Sequence, residues 1–310
     1  MQFSWPWGVP LDYRPPVEGE HPRITIVTPN YNGAKFIEAT LRSVICQGYP
    51  NLQYIVVDGA SSDESMSIIE RYRDHIGHII CEPDKGHADA LNKGFALADG
   101  EILAWLNSDD MYHAWSLFTV AEVFQRFSKV QWIEGAPIYW DSQGRLYGPL
   151  KERPLNQYDY LTGRYGFIQQ ESTFWRRELW EKAGGRMNTD YRLMIDGELW
   201  TRFFLHAQLH RLDCCVGGFR PHLTNRSHDR TLLHQEMQRA IETMRGLVSP
   251  EVRARAEKFS RVQRLTKGVP TITVREWMLR ALTQPHFNDM GYEFIVPSPD
   301  GWEIVPVPFC

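Results

Sequence analysis

Two carboxylates stand side by side at Asp109 and Asp110, directly after an apolar run of strand length, 102–106, which Asn107 and Ser108 break. In an open α/β sheet, ligands bind in the crevice beyond the carboxyl ends of the strands. Adjacent acids there suit a hard divalent cation that carries a phosphorylated ligand. The same Asn-Ser-Asp-Asp stretch also suits a turn that caps a helix starting near Ala114. The two roles are compatible, because one aspartate can do each. Asp58 ends another candidate strand; a carboxylate there accepts hydrogen bonds from ribose hydroxyls or an imide N–H, or simply makes a turn. Asp196 and Glu198 fall in the first turn of a helix expected over 194–206, where the helix dipole alone favours acids.

These residues need a scaffold, and the pattern supplies one. Strands are expected over 23–28, 53–57, 77–81 and 102–106, each ending in turn-forming residues. Helices are expected between them, over 34–46, around Met66 to Ile69, and over 87–98. Such alternation with short connections predicts an α/β fold with a Rossmann-like, mostly parallel sheet flanked by helices. Right-handed crossovers then gather the four strand ends on one edge. Thr28, Pro29, Asn30, Asp58, Lys85, Asp89, Asn92, Asn107, Asp109 and Asp110 would all line it. Beyond this, a helix over 114–127, a strand over 131–136, a hairpin within 137–150 and an irregular stretch over 151–170 are expected. A strand over 173–175, a helix over 177–182 and a strand over 211–216 follow. The chain divides into a proline-rich arm (1–22) anchored by Phe3, Trp5 and Trp7, a main domain (23–226), and a mainly helical C-terminal region (227–310). That region holds helices over 232–247, 250–265 and 271–283 and an irregular tail with short strand-like pieces.

With 310 residues, 43% hydrophobic and 23% charged, the chain has the composition of an ordinary globular protein. A net charge of −4 argues against general affinity for nucleic acid. Five cysteines, Cys46, Cys81, Cys214, Cys215 and Cys310, without metal-like spacing, point to reduced thiols and a cytoplasmic setting. No apolar run approaches the roughly 20 residues that cross a bilayer. The basic segment 253–267 would allow peripheral contact with the inner face of a membrane, although a solvated helix face explains it as well. The high aromatic share, 13%, fits a packed core or a carbohydrate-facing surface.

Neither a Gly-x-Gly-x-x-Gly turn nor a Gly-x-x-x-x-Gly-Lys loop occurs, which removes dinucleotide and NTPase phosphate loops. Instead Pro29-Asn30-Tyr31-Asn32, Val56 to Asp63, Asp84 to Gly94 and Leu106-Asn107-Ser108-Asp109-Asp110, in this order, resemble family 2 glycosyltransferases with the GT-A fold over about residues 22 to 225. The resemblance implies a divalent metal, manganese or magnesium, at Asp109, Asp110 and His222; which of the two carboxylates holds it stays open, with Asp109 favoured toward the ribose and Asp110 toward the cation. It implies donor contacts from Pro29, Asn30, Tyr31, Asp58, Lys85, Asp89, Asn92, Asn107 and Asp109. Asp196-Gly197-Glu198-Leu199-Trp200 resembles the segment that holds the general base of inverting members. Ile195 stands where a glutamate is often found, so Asp196 and Glu198 both remain candidates, with Asp196 favoured. Phe219-Arg220-Pro221-His222 resembles the histidine segment near the diphosphate, and Gln170 and Glu171 resemble the acceptor side, with Glu198 also on it. The implied activity is inverting sugar transfer from a nucleotide-sugar donor (a UDP-sugar ahead of GDP or dTDP) to a glycan or lipid-linked acceptor. Rival readings are a catalytically silent sugar-nucleotide or glycan-binding module and a nucleotidyltransferase.

Overall fold

The computed structural model describes residues 5–15, 18–141, 143–148, 154–223, 225–226, 229–266 and 291–307. The expected helix over 271–283, Phe3 and Cys310 lie outside the described residues. In chain order the first half holds β1 (Ile24–Asn30), α1 (Ile37–Ile45), β2 (Leu52–Asp58), α2 (Ser65–Glu70), β3 (His78–Cys81), α3 (His87–Phe95) and β4 (Ile102–Trp105). Then come β5 (Met111–Tyr112), α4 (Ser116–Arg126), β6 (Trp132–Gly135), β7 (Ile138–Trp140), β8 (Leu146–Tyr147) and α5 (Gln157–Leu161). A 3-10 turn (Gln170–Ser172) leads into β9 (Thr173–Arg176), α6 (Arg177–Lys182), α7 (Ile195–Phe203), β10 (His210–Leu212) and β11 (Gly217–Phe219). The chain ends in α8 (Arg230–Leu247), α9 (Pro250–Thr266), β12 (Tyr292–Ser298) and β13 (Gly301–Val307).

The main sheet runs β13-β12-β10-β6-β9-β4-β1-β2-β3. β1 pairs in parallel with β2 and β4, and β2 with β3, so the four expected strand ends do share one edge. All seven residues of β1 are buried, as helix cover on both faces requires. β9 is antiparallel to both β4 and β6, which keeps β6, β10 and β12 parallel to β4. A second sheet, β5-β11-β7-β8, sits beside the crevice. Much of the tryptophan content belongs to the core. Trp105, Trp132, Trp175 and Trp200 are fully buried and contact one another at ring separations of 5.5–5.9 Å. Truncating any of them to alanine should cost about 3–5 kcal/mol.

Three expectations are corrected. The stretch read as irregular contains α5, held by a capping box between Asn156 and Asp159. The strand expected over 211–216 ends at Leu212 as β10, and a separate strand, β11, begins at Gly217 in the other sheet. The C-terminal tail is a β-hairpin whose β12 joins the main sheet through β10; alternation in so short a stretch gave no sign of which edge it would find. The arm is anchored as expected where it is described. The Trp5 indole N–H donates to the Tyr112 carbonyl at 2.9 Å, and the Arg42 guanidinium lies over Trp7 while donating to the Val9 carbonyl. On α9, Ala256, Phe259 and Val262 turn inward and Arg253, Lys258 and Arg261 outward. Among the described residues no helix is long and apolar enough to cross a membrane.

Candidate active site

The loop after β4 is pinned from below. The Thr40 hydroxyl of α1 lies 2.9 Å from the Ser108 carbonyl and 2.7 Å from that of Asp110, so the two aspartates cannot drift from the sheet edge. Their environments then diverge. Asp110 is 1% exposed; its carboxylate accepts from the Arg220 backbone N–H at 2.8 Å and from the Asn107 amide at 3.3 Å. Burial, then the neighbouring Asp109 and Glu171, hold its carboxyl well above the usual range. Asp109 turns the other way, with its Oδ2 2.9 Å from His222 Nε2 and 3.2 Å from the Asn225 amide nitrogen. Asp109 thus meets His222 while Asp110 braces the loop, its carboxylate taken by the Arg220 N–H.

His222 stacks on Phe36 at 4.5 Å, and the Arg220 guanidinium lies 5.1 Å over the same ring. Arg220 is buried, and its Nε and Nη2 have no hydrogen-bond partner among the described residues. A buried cation with unfilled donors beside two carboxylates fits an anion that arrives with its own counterion. An imidazole and a carboxylate converging on one spot suit a divalent cation such as Mn²⁺. No group of three or more His, Cys, Asp or Glu side chains placed to hold a metal exists among the described residues, so remaining ligands would come from the diphosphate and water.

At the other end of the crevice Asp58 is 0% exposed and its carboxylate is fully engaged. It accepts from the Asn30 amide at 2.7 Å, from the Ser61 hydroxyl at 2.7 Å and from the Ser61 N–H at 2.7 Å. These bonds tie β1 and β2 to the Ser61 turn, so Asp58 builds the loop at this strand end. Pro29 lies in β1 opposite Val57, and Asn30 carries the pairing on to Asp58. Tyr31, by contrast, is 68% exposed. A Cβ on Gly59 would come within 2.5 Å of Asp84 Oδ2 and 3.3 Å of the Tyr31 ring, so the missing side chain keeps a slot open between them. Lys85 is exposed on the same edge, and its backbone N–H donates to the Asp89 carboxylate.

Asn92 is engaged by the Met187 backbone. Its amide exchanges hydrogen bonds with the Met187 backbone, donating to the carbonyl at 3.1 Å and accepting from the N–H at 2.7 Å. Gln170 is likewise spent, donating to the Trp105 carbonyl and accepting from Asn107. Glu198 makes a two-pronged ion pair with Arg202 at 2.8–2.9 Å, which removes it as a free base and as an acceptor contact. Asp196 is left as the available acid at the start of α7. Burial pushes its carboxyl up to about 6, against the Gly197 N–H that donates to it. Glu171 is buried with one oxygen unpartnered among the described residues. Burial pushes it up to about 8, its own N–H opposes this, and Asp196, Asp109 and Glu134 add to it.

Two contributors escaped the sequence. Phe36 reads only as one apolar position on a helix face, yet it is the ring between Arg220 and His222. Glu236 of α8 accepts from the N–H groups of Arg192, Leu193 and Met194 at 2.8, 2.8 and 2.9 Å, which fixes the entry to α7 just before Asp196. An acid inside an amphipathic helix carries no signal of that partner.

A parallel-sheet crevice with this donor set and this topology defines the GT-A class of sugar-nucleotide-dependent folds. The model for glycosyl transferase family 2 matches residues 25–220, and the chain belongs to that family. An uncharacterized glycosyltransferase of Nostoc sp. is 30% identical over 186 residues, 56% of this chain and 57% of that protein. TuaG of Bacillus subtilis, named for teichuronic acid biosynthesis, is 35% identical over 94 residues, 29% of this chain and 37% of its own length. The matches thus span 57% and 37% of these two relatives' own lengths. The structure of S. aureus TarS residues 1–349 with UDP-GlcNAc superposes with a TM-score of 0.62 at 16% identity, covering 86% of this chain and 80% of that one, a likeness of fold.

Proposed function

We propose that this chain transfers a sugar, with inversion, from a nucleotide-sugar donor to a hydroxyl of a glycan or lipid-linked acceptor in polysaccharide or glycoconjugate assembly. The observation that carries the reading is the Asp109–His222 pair with the unfilled Arg220 donors beside it. A UDP-sugar is the favoured donor, as in the TarS complex, with GDP- and dTDP-sugars as alternatives. A manganese or magnesium ion held by Asp109 and His222 would neutralise charge on the leaving diphosphate. Arg220 donates to the same oxygens, and the exposed Tyr31 ring stacks on the base. Asp196 accepts the proton of the acceptor hydroxyl as that oxygen attacks the anomeric carbon from the face opposite the diphosphate.

The test incubates the protein with Mn²⁺ and UDP-, GDP- and dTDP-sugars and follows nucleotide release. Asp196→Asn should lower turnover at least about 100-fold, the low end for general-base loss, while nucleotide affinity by calorimetry stays within about twofold. Turnover within a few-fold of wild type would remove Asp196 from the role.

A further inference from the structure

The small sheet carries an aromatic face that the chemistry above does not use. Side chains alternate along a strand, so Gly217 and Phe219 of β11 point to one side and Gly218 to the other. Gly218 faces Ile138 and Trp140, on the side closed by Met111 and Trp5. A Cβ on Gly217 would sit 1.9 Å from the Glu171 backbone carbonyl, so the side that Phe219 shares is that of the Gln170–Ser172 turn. On this side Tyr139 stacks with Tyr147 at a ring separation of 5.5 Å and 21°, and Phe219 meets Tyr139 edge-on at 6.2 Å and 83°. Tyr147 remains 46% exposed, and Phe219 is half-buried. Phe167, two residues before the Gln169 amide that brackets Ile138, is 63% exposed.

We propose that Phe219 and Tyr147 form the platform on which the acceptor glycan lies, an inference that rests on the glycosyltransferase reading. The face is continuous with the crevice: Arg220 follows Phe219 directly, and β11 pairs with β5, which begins immediately after Asp110. A reacting hydroxyl must approach Asp196 from outside, and the sugar that bears it has an apolar C–H face and a polar rim. Preset rings, one with a hydroxyl at its edge, match that combination. A lipid surface would call instead for apolar tips flanked by unpaired cations; here the neighbouring Arg145 is paired with Asp141.

Saturation-transfer NMR with four tetrasaccharides, of β-glucose, β-N-acetylglucosamine, β-galactose and α-mannose units, tests the platform, with and without UDP and Mn²⁺. At least one should bind wild type, and Tyr147→Ala and Phe219→Ala should each weaken it at least fivefold. Tyr147→Phe should retain binding, as should Leu146→Ala on the opposite face of the same strand. No binding by wild type to any of the four, or binding that survives both alanine variants, overturns the proposal. So does capture by phosphatidylglycerol vesicles that Tyr147→Ala abolishes. Failure of the donor reading shows separately, as loss of UDP, GDP and dTDP binding by wild type while glycan binding is still read.

Discussion

Burial at Glu171 and Asp196 sets two opposite pH dependences. The Glu171 carboxyl ionises near 4.5 when unperturbed and near 8 in the fold, so below about 4.5 both states keep the proton and folding carries no charge penalty. As pH rises toward 8 the unfolded chain ionises while the fold resists, and stability falls. Glu171→Gln should therefore raise the melting temperature more at pH 8 than at pH 5; an equal shift at both contradicts the buried, protonated acid. Asp196 must be ionised to accept a proton, so turnover should fall as pH drops through about 6. A rate profile flat down to pH 4.5 would exclude it. The two central aspartates separate by the same logic of partners. Asp109→Ala should abolish Mn²⁺-dependent nucleotide binding with little change in melting. Asp110→Ala leaves the buried Arg220 N–H unsatisfied and should cost about 1–3 kcal/mol of stability in denaturant unfolding. Before folding, nothing distinguishes these neighbours, since identical side chains one residue apart differ only in which way the loop turns.

At the scale of elements, the entry to α7, just before Asp196, depends on a helix outside the family match. α8 supplies Glu236, whose carboxylate would be raised by burial alone but is held low by the N–H groups of Met194, Arg192 and Leu193. Glu236→Ala leaves three donors without that acceptor. We expect a loss of about 3 kcal/mol of stability and a lower kcat with donor affinity within about twofold, checked by denaturant unfolding and calorimetry. Unchanged kcat would mean that α7 holds its own entry. Asn92 of α3 holds the loop before α7 at Met187. The β-α alternation and the strand ends were legible in the sequence because hydrophobic period and turn chemistry are local. Short pieces such as α5 and β11 were not, since a capping box or three strand residues weigh little until neighbours pack on them.

For the whole molecule, the hairpin at the C-terminus closes one side of the main sheet. β12 buries Ile295 and Tyr292, whose hydroxyl donates to Asp159 of α5 at 3.0 Å, and it covers the backbone edge of β10. Ending the chain at residue 290 should expose that edge and produce aggregation visible by light scattering, whereas an intact monodisperse domain would show the hairpin to be dispensable. By itself the sequence determined the parallel sheet, the order of the polar strand ends, the family, and Asp196 as the favoured base. Periodicity, turn residues and ordered motifs act over a few neighbours and survive in one dimension. Only the tertiary structure decided which carboxylate meets His222, that Asp58, Asn92, Gln170 and Glu198 are spent on internal bonds, and that Phe36 and Glu236 belong to the site. Each of those outcomes depends on partners between 3 and more than 180 positions away, brought together by packing.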